Sequence, residues 1–179
     1  MGLPLFLLAC LLFGGFHALS EFSTSQWWWM ASAGIVHFII GRYSNYRPIR
    51  AMGANLSSPI QQLSVPVSII LAMIFLNEVI TPVRILGFIL VMIGPAIMLK
   101  RKKGAGTQKS KSGFEPQYAE GFLWGGVSAV AYGASPLFIM MGLGSDGTMV
   151  DSIAGGLISY SSATLVIIVL ILVLGGRKY

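Results

Sequence analysis

Charge is scarce in this chain: 10% of its 179 residues are charged and 55% are hydrophobic. A soluble domain carries roughly a quarter charged residues, so too little polar surface is available to close around a core of this size. Cysteine is nearly absent as well. Cys10 alone allows neither an intrachain disulfide nor a cysteine-based metal site. The run Leu8-Ala9-Cys10 faintly resembles a lipoprotein processing site. The apolar run before it is short and lacks a positive n-region, so Cys10 reads as one more buried apolar residue. The chain has no Walker loop, no dinucleotide fingerprint and no metal-ligand spacing, and its serines stand without a paired base. No enzyme activity, cofactor or metal is expected. The formal net charge of +6 invites a nucleic-acid reading. With no recognition helix or stacking platform, and with charges gathered at the ends of apolar runs, no nucleic-acid partner is expected either.

Long apolar runs dominate what is present, and the mean hydropathy is +0.77. A helix crossing a bilayer needs about 20 mostly apolar residues. Six candidate spans meet or approach that length: Leu3 to Ser20, Trp27 to Tyr43, Gly53 to Asn77, Val83 to Leu99, Ala119 to Gly142, and Val150 to Leu174. The predicted fold is therefore all-α, a polytopic membrane helix bundle in contact with lipid. The second span is interrupted by His37 and closed early by Arg42. The sixth ends in an Ile/Val/Leu run whose later half should face lipid. The positive charges test the assignment independently. Segments 42–50, 100–116 and 175–179 hold eleven of the twelve Lys and Arg residues, and Arg84 is the twelfth. By the positive-inside rule, these segments and both termini lie in the cytoplasm. The loop RKKGAGTQKSKSGFEPQ reads as a flexible basic connector between two structural units. Trp27, Trp28 and Trp29 fall where an aromatic interface belt should sit.

Polar groups inside these spans are the candidates for chemistry, because each needs a partner or a cavity within the protein. On the third span Asn55, Ser58, Gln62 and Pro66 recur at spacings of three, four and four, on one face. They suit contact with a zwitterionic or sugar-like solute, or equally the locking of this helix to its neighbours. Pro59 and Pro66 each remove a backbone donor, and the freed carbonyls are hinge or ligand sites. On the fifth span Trp124, Ser128, Tyr132 and Ser135 form a similar row, with Gly125, Gly126 and Gly133 leaving space. Stacking against a solute and plain helix packing both fit that row. His37 is a candidate for proton or ion coupling. Glu78 is another, although pairing with Arg84 or capping the next helix also accounts for it. Gly87 and Gly94, seven apart, suggest a smooth contact face on the fourth span.

Residues Asn55 to Leu99 resemble the EamA-like branch of the drug/metabolite transporter superfamily. The resemblance rests on the polar run to Pro66, on Phe75-Leu76-Asn77-Glu78 and on Gly87 and Gly94. Asn77 stands where that family often has glycine. The stretch Arg50-Ala51-Met52-Gly53-Ala54 fits the entry to the same helix. Residues 119–142, with Gly121, Trp124, Gly125 and Ala134, resemble the opening helix of a second repeat. The resemblance implies a secondary transporter in a bacterial or archaeal plasma membrane, moving a small metabolite or drug-like solute by alternating access between two repeats of about five helices each. It draws the solute cavity from Asn55, Ser58, Gln62 and Pro66 on one repeat and Trp124, Ser128 and Tyr132 on the other. Against about ten helices in a complete member, this chain supplies six predicted ones. Residues 1–99 would be a four-span part of the first repeat, 100–118 the basic connector, and 119–179 the two-span start of the second. An incomplete transporter is thus expected, with a homo-oligomer as one way to complete it. The competing reading is a non-transporting integral-membrane scaffold or assembly subunit whose polar rows serve packing.

Overall fold

A computed structural model of the chain describes residues 2–77, 79, 81–90, 93, 97, 116–144 and 146–175, and these are helical throughout apart from short links. The order is α1 (Gly2–Phe13), α2 (Gly15–Glu21), α3 (Thr24–Gly34), a π-helical segment (Ile35–Gly41), α4 (Arg42–Met52), α5 (Ala54–Gln61) and α6 (Ser64–Leu76). Then come α7 over residues 82–90, α8 (Tyr118–Leu143) and α9 (Met149–Leu174). Three stretches are long and apolar enough to cross a membrane among the described residues: Ala54–Leu76, Tyr118–Leu143 and Met149–Val173. The bent pair α1 and α2 makes a fourth if taken as one span. The protein is an all-α integral membrane protein. The connector 100–115, Glu78 and Gly94 lie outside the described residues.

Three of the predicted spans differ in detail from what forms. The stretch Leu3 to Ser20 is not straight: its two helices meet at 92°. Gly14 sits at the corner with φ 73°, a conformation that costs a side chain dearly and glycine nothing. The second predicted span, Trp27 to Tyr43, continues without a break to Met52 through the π-helical segment. It starts on a capping box, with Ser23 Oγ accepting from the Gln26 amide at 3.3 Å and Gln26 Oε1 accepting from the Ser23 amide at 2.8 Å. The third span is interrupted at Gln62-Leu63. Pro66 has no N–H to give the Gln62 carbonyl, which instead accepts from Val65 N at 3.1 Å. The last two spans run within a residue of prediction. α9 opens on a second capping box, Thr148 with Asp151, at 3.2 and 2.8 Å.

The chain divides into two compact units, residues 1–40 with 134–179, and residues 41–133. In the first, α9 packs on α1, α2 and α3. Small residues set the approach: a Cβ at Gly34 would lie 2.6 Å from the Ser159 carbonyl carbon. At that separation Ser159 Oγ donates to the Met30 carbonyl at 2.8 Å, and Ser162 Oγ to Ala31 O at 3.2 Å. Hydroxyls bonded across an interface of small residues are a common means of joining helices in lipid. Phe6 and Phe38 flank the Tyr160 ring at 5.1 and 4.3 Å between centroids. Trp29 stacks on Phe138 at 5.7 Å, whereas Trp27 and Trp28 are exposed, as an interfacial belt requires. The later half of α9 shows an unbroken exposed apolar surface from Ile167 to Val173.

In the second unit, α4 and α5 are joined at Gly53, whose φ of 84° again needs glycine. Ala51, Met52 and Ile60 are buried together with Leu56 against them. Three glycines of α8 receive this core. Gly121 faces Met52, Gly125 faces Ile60, and Gly133 faces Val67 and the Ser64 carbonyl. A Cβ built at Gly87 meets no described atom within 4 Å.

These contacts separate glycines that must be small from those that need not be. Gly34→Ala drives its methyl into the Ser159 backbone and should lower stability by about 1–3 kcal/mol. Gly126→Ala points into open space and should be neutral or gain up to about 1 kcal/mol from helix propensity. Unfolding of the purified protein in mixed micelles measures both; equal losses would show that the Gly34 approach is not tight.

Candidate functional site

The polar row of α8 is assembled by its four-residue spacing, which keeps Glu120, Trp124, Ser128 and Tyr132 on one face. All four meet α4 or the residue that precedes it. Arg47 Nη1 pairs with Glu120 Oε1 at 3.3 Å. The Arg47 guanidinium lies 4.7 Å from the Trp124 ring centre, and the edge of Tyr43 meets the same indole at 5.8 Å. One turn on, Ser128 is fully buried and its Oγ donates to the Gly41 carbonyl at 3.4 Å, where the π-helical segment ends. A further turn on, the Tyr132 hydroxyl is hydrogen-bonded to the side chains of Asn45 and Arg42.

The energetics of this row are uneven. The Arg47 and Glu120 side chains stay 42% and 38% exposed, so the pair adds little to stability and chiefly holds the guanidinium over Trp124. Asn45 is different: its Oδ1 is buried and has no hydrogen-bond partner among the described residues. An amide bonded at one end to Tyr132 and unmatched at the other is an unusual cost in a buried setting.

The other predicted row sits differently. Asn55, Ser58 and Gln62 are exposed along α5 and its C-terminal end, while Ser57 and Ile60 on the opposite side, and Pro59, are buried. Ser58 Oγ returns to the Ala54 carbonyl at 2.8 Å. Pro66 lines an apolar groove of about 220 Å³ with Ile70 and Met73 of α6 and Ile85 and Phe88 of α7. Trp124, Ser128 and Tyr132 are thus brought together on one face, and Asn55, Ser58 and Gln62 share another. His37 belongs to the first unit, within the π-helical segment, its ring edge-on to Phe38 at 4.7 Å. A π-helical turn in an α-helix is frequently found at a functional position. Glu78 lies outside the described residues.

Asn45, Tyr43, Tyr46 and Glu120 were not candidates by sequence. Glu120 extends the Trp124 row by one turn, and Tyr43, Arg47 and Arg50 follow at spacings of four and three. That periodicity was available, but the arginines of this stretch are explained equally well as topology signals. Among the described residues no group of three or more His, Cys, Asp or Glu side chains could hold a metal ion.

Apolar helices of spanning length with polar groups turned onto a shared face define a polytopic helical membrane protein. Residues 1–100 match the EamA-like transporter family, and with more than half of its length matched the chain belongs to that family. No curated protein and no solved structure matches the chain.

The buried serine offers a direct test. Ser128→Ala removes the bond to Gly41 and should cost about 1 kcal/mol. Ser128→Leu should cost several-fold more, since a fully buried site has no space for three further carbons. Thermal unfolding in detergent distinguishes them, and a Leu variant as stable as Ala would mean that the helices are not closely packed here.

Proposed function

We propose that this protein is a secondary transporter that moves a small metabolite or drug-like solute across a bacterial or archaeal plasma membrane by alternating access. The match of residues 1–100 to the EamA-like transporter family carries this reading. Its architecture is a six-span part of a five-plus-five-helix arrangement. In it, 1–99 belong to the first repeat, 100–118 form the connector and 119–179 begin the second. A longer chain or a homo-oligomer supplies the remainder. Trp124, Ser128 and Tyr132 make one wall of the solute path, supported by the unmatched Asn45 acceptor beside Tyr132. Asn55, Ser58, Gln62 and Pro66 make another, with amides and hydroxyls that stay exposed in this chain and so remain available to a solute. His37 and Glu78 are the candidates for coupling transport to protons or ions. The break at Gln62-Leu63 gives the third span a point of bending next to its exposed polar turn.

A packing role has its own support in Ser128, which is fully buried and bonded to a backbone carbonyl. On that scaffold reading the polar rows join helices and no solute moves. Proteoliposomes containing the protein, loaded with unlabelled amino acids or ethidium and offered the labelled compound outside, separate the two. Saturable counterflow is expected. Gln62→Leu should reduce it by about tenfold or more, the loss of one hydrogen-bonding partner for the bound solute, with the unfolding midpoint unchanged. Equal loss of flux and stability would assign Gln62 to packing.

A further inference from the structure

The end of α4 and the start of α8 enclose a cleft of about 540 Å³, lined by Tyr43, Tyr46, Arg47, Arg50, Gln117 and Glu120. Backbone and core hold its walls: Gln117 N donates to the Ala51 carbonyl at 2.9 Å, and Gly121 packs on Met52. Two arginines and one carboxylate line it. Glu120 is taken up by Arg47, which is also held over Trp124. Arg50, exposed in the last turn of α4, makes no ion pair among the described residues. Among the described residues the cleft therefore presents one guanidinium without a carboxylate partner. Around it stand two tyrosine hydroxyls and the Gln117 amide, all able to donate.

We infer that this cleft binds an anionic phosphodiester. A guanidinium offers two parallel N–H donors that match two phosphate oxygens, and a single uncompensated positive charge matches a monoanion better than a dianion. The position in the chain agrees. The cleft opens at the first turn of the spanning-length helix Tyr118–Leu143, and the ends of a bilayer-spanning helix are where headgroups lie. Tyr43 and Tyr46 are 57% and 63% exposed there, as aromatic side chains at a membrane boundary are. The positive-inside rule places these arginines on the cytoplasmic face, where basic pockets between spanning helices take phosphate headgroups. The amino-terminal end of the α8 dipole adds to the positive field. The phosphodiester comes from an anionic glycerophospholipid or from a soluble ester with the same group.

Titration of the delipidated protein with phosphatidylglycerol, read as lipid adducts by native mass spectrometry, tests the inference. Phosphatidylcholine, neutral overall, is titrated in parallel. Phosphatidylglycerol should bind at least about fivefold more tightly, and Arg50→Gln should weaken it by about tenfold, the loss of one charge-assisted contact. Tyr46→Phe keeps the ring, removes one donor and should weaken it by about threefold; it serves if Arg50→Gln does not fold. Dimethyl phosphate then identifies the source. Displacement of the lipid at millimolar concentration shows that the phosphodiester alone is recognised, so that a soluble ester is an adequate ligand. Persistence of Arg50-sensitive lipid binding shows that the acyl chains contribute and that the ligand is lipid. Equal binding of the two lipids overturns the inference. So does phosphatidylglycerol binding that is indifferent to both variants but lost in Lys102→Gln/Lys103→Gln, which would assign the attraction to the connector.

Discussion

Inside hydrocarbon no water is available to take up a stray donor, and the architecture follows from where this chain sends its hydroxyls and amides. In the first unit, Ser159 and Ser162 of α9 send theirs to the carbonyls of Met30 and Ala31. The bond to Met30 is possible because Gly34 keeps no side chain between the two helices. Contact length, hydrogen bond and aromatic packing around Tyr160 then reinforce one another. In the second unit the same constraint sends Ser128 to Gly41, and the Tyr132 hydroxyl to Asn45 and Arg42. Asn45 Oδ1 is the acceptor left over.

Much of this arrangement was readable from residue order. α8 and α9 begin and end within a residue of the predicted spans, because a long apolar run bounded by polar residues leaves a bilayer helix few alternatives. Bends were harder to read. Gly14 lies in a run as apolar as its neighbours, and hydropathy carries no information about a positive φ. The extension of the second span to Met52 was obscured by Arg42, Asn45, Arg47 and Arg50. Polar residues such as these end a membrane span without ending a helix.

The site divides along similar lines. Spacing of four puts Trp124, Ser128 and Tyr132 on one face of a helix by residue order alone. What they meet is about eighty residues earlier in the chain, and no local pattern reports such a pairing. The arginines of α4 had a sufficient explanation in topology, which hid Arg47 as the partner of Glu120 and Trp124. For Asn55, Ser58 and Gln62 periodicity gave the shared face correctly. It could not say whether that face was covered, since exposure depends on what else packs there.

Helices α8 and α9 are each 26 residues long. At about 1.5 Å of rise per residue each extends for roughly 39 Å, against a hydrocarbon core of about 30 Å. In a bilayer of ordinary thickness they must tilt, or carry their ends into the headgroup layer. The exposed Ile/Val/Leu end of α9 makes the second course the more costly. Lipid chain length thereby becomes a variable that acts on the tilt of these helices without touching any site.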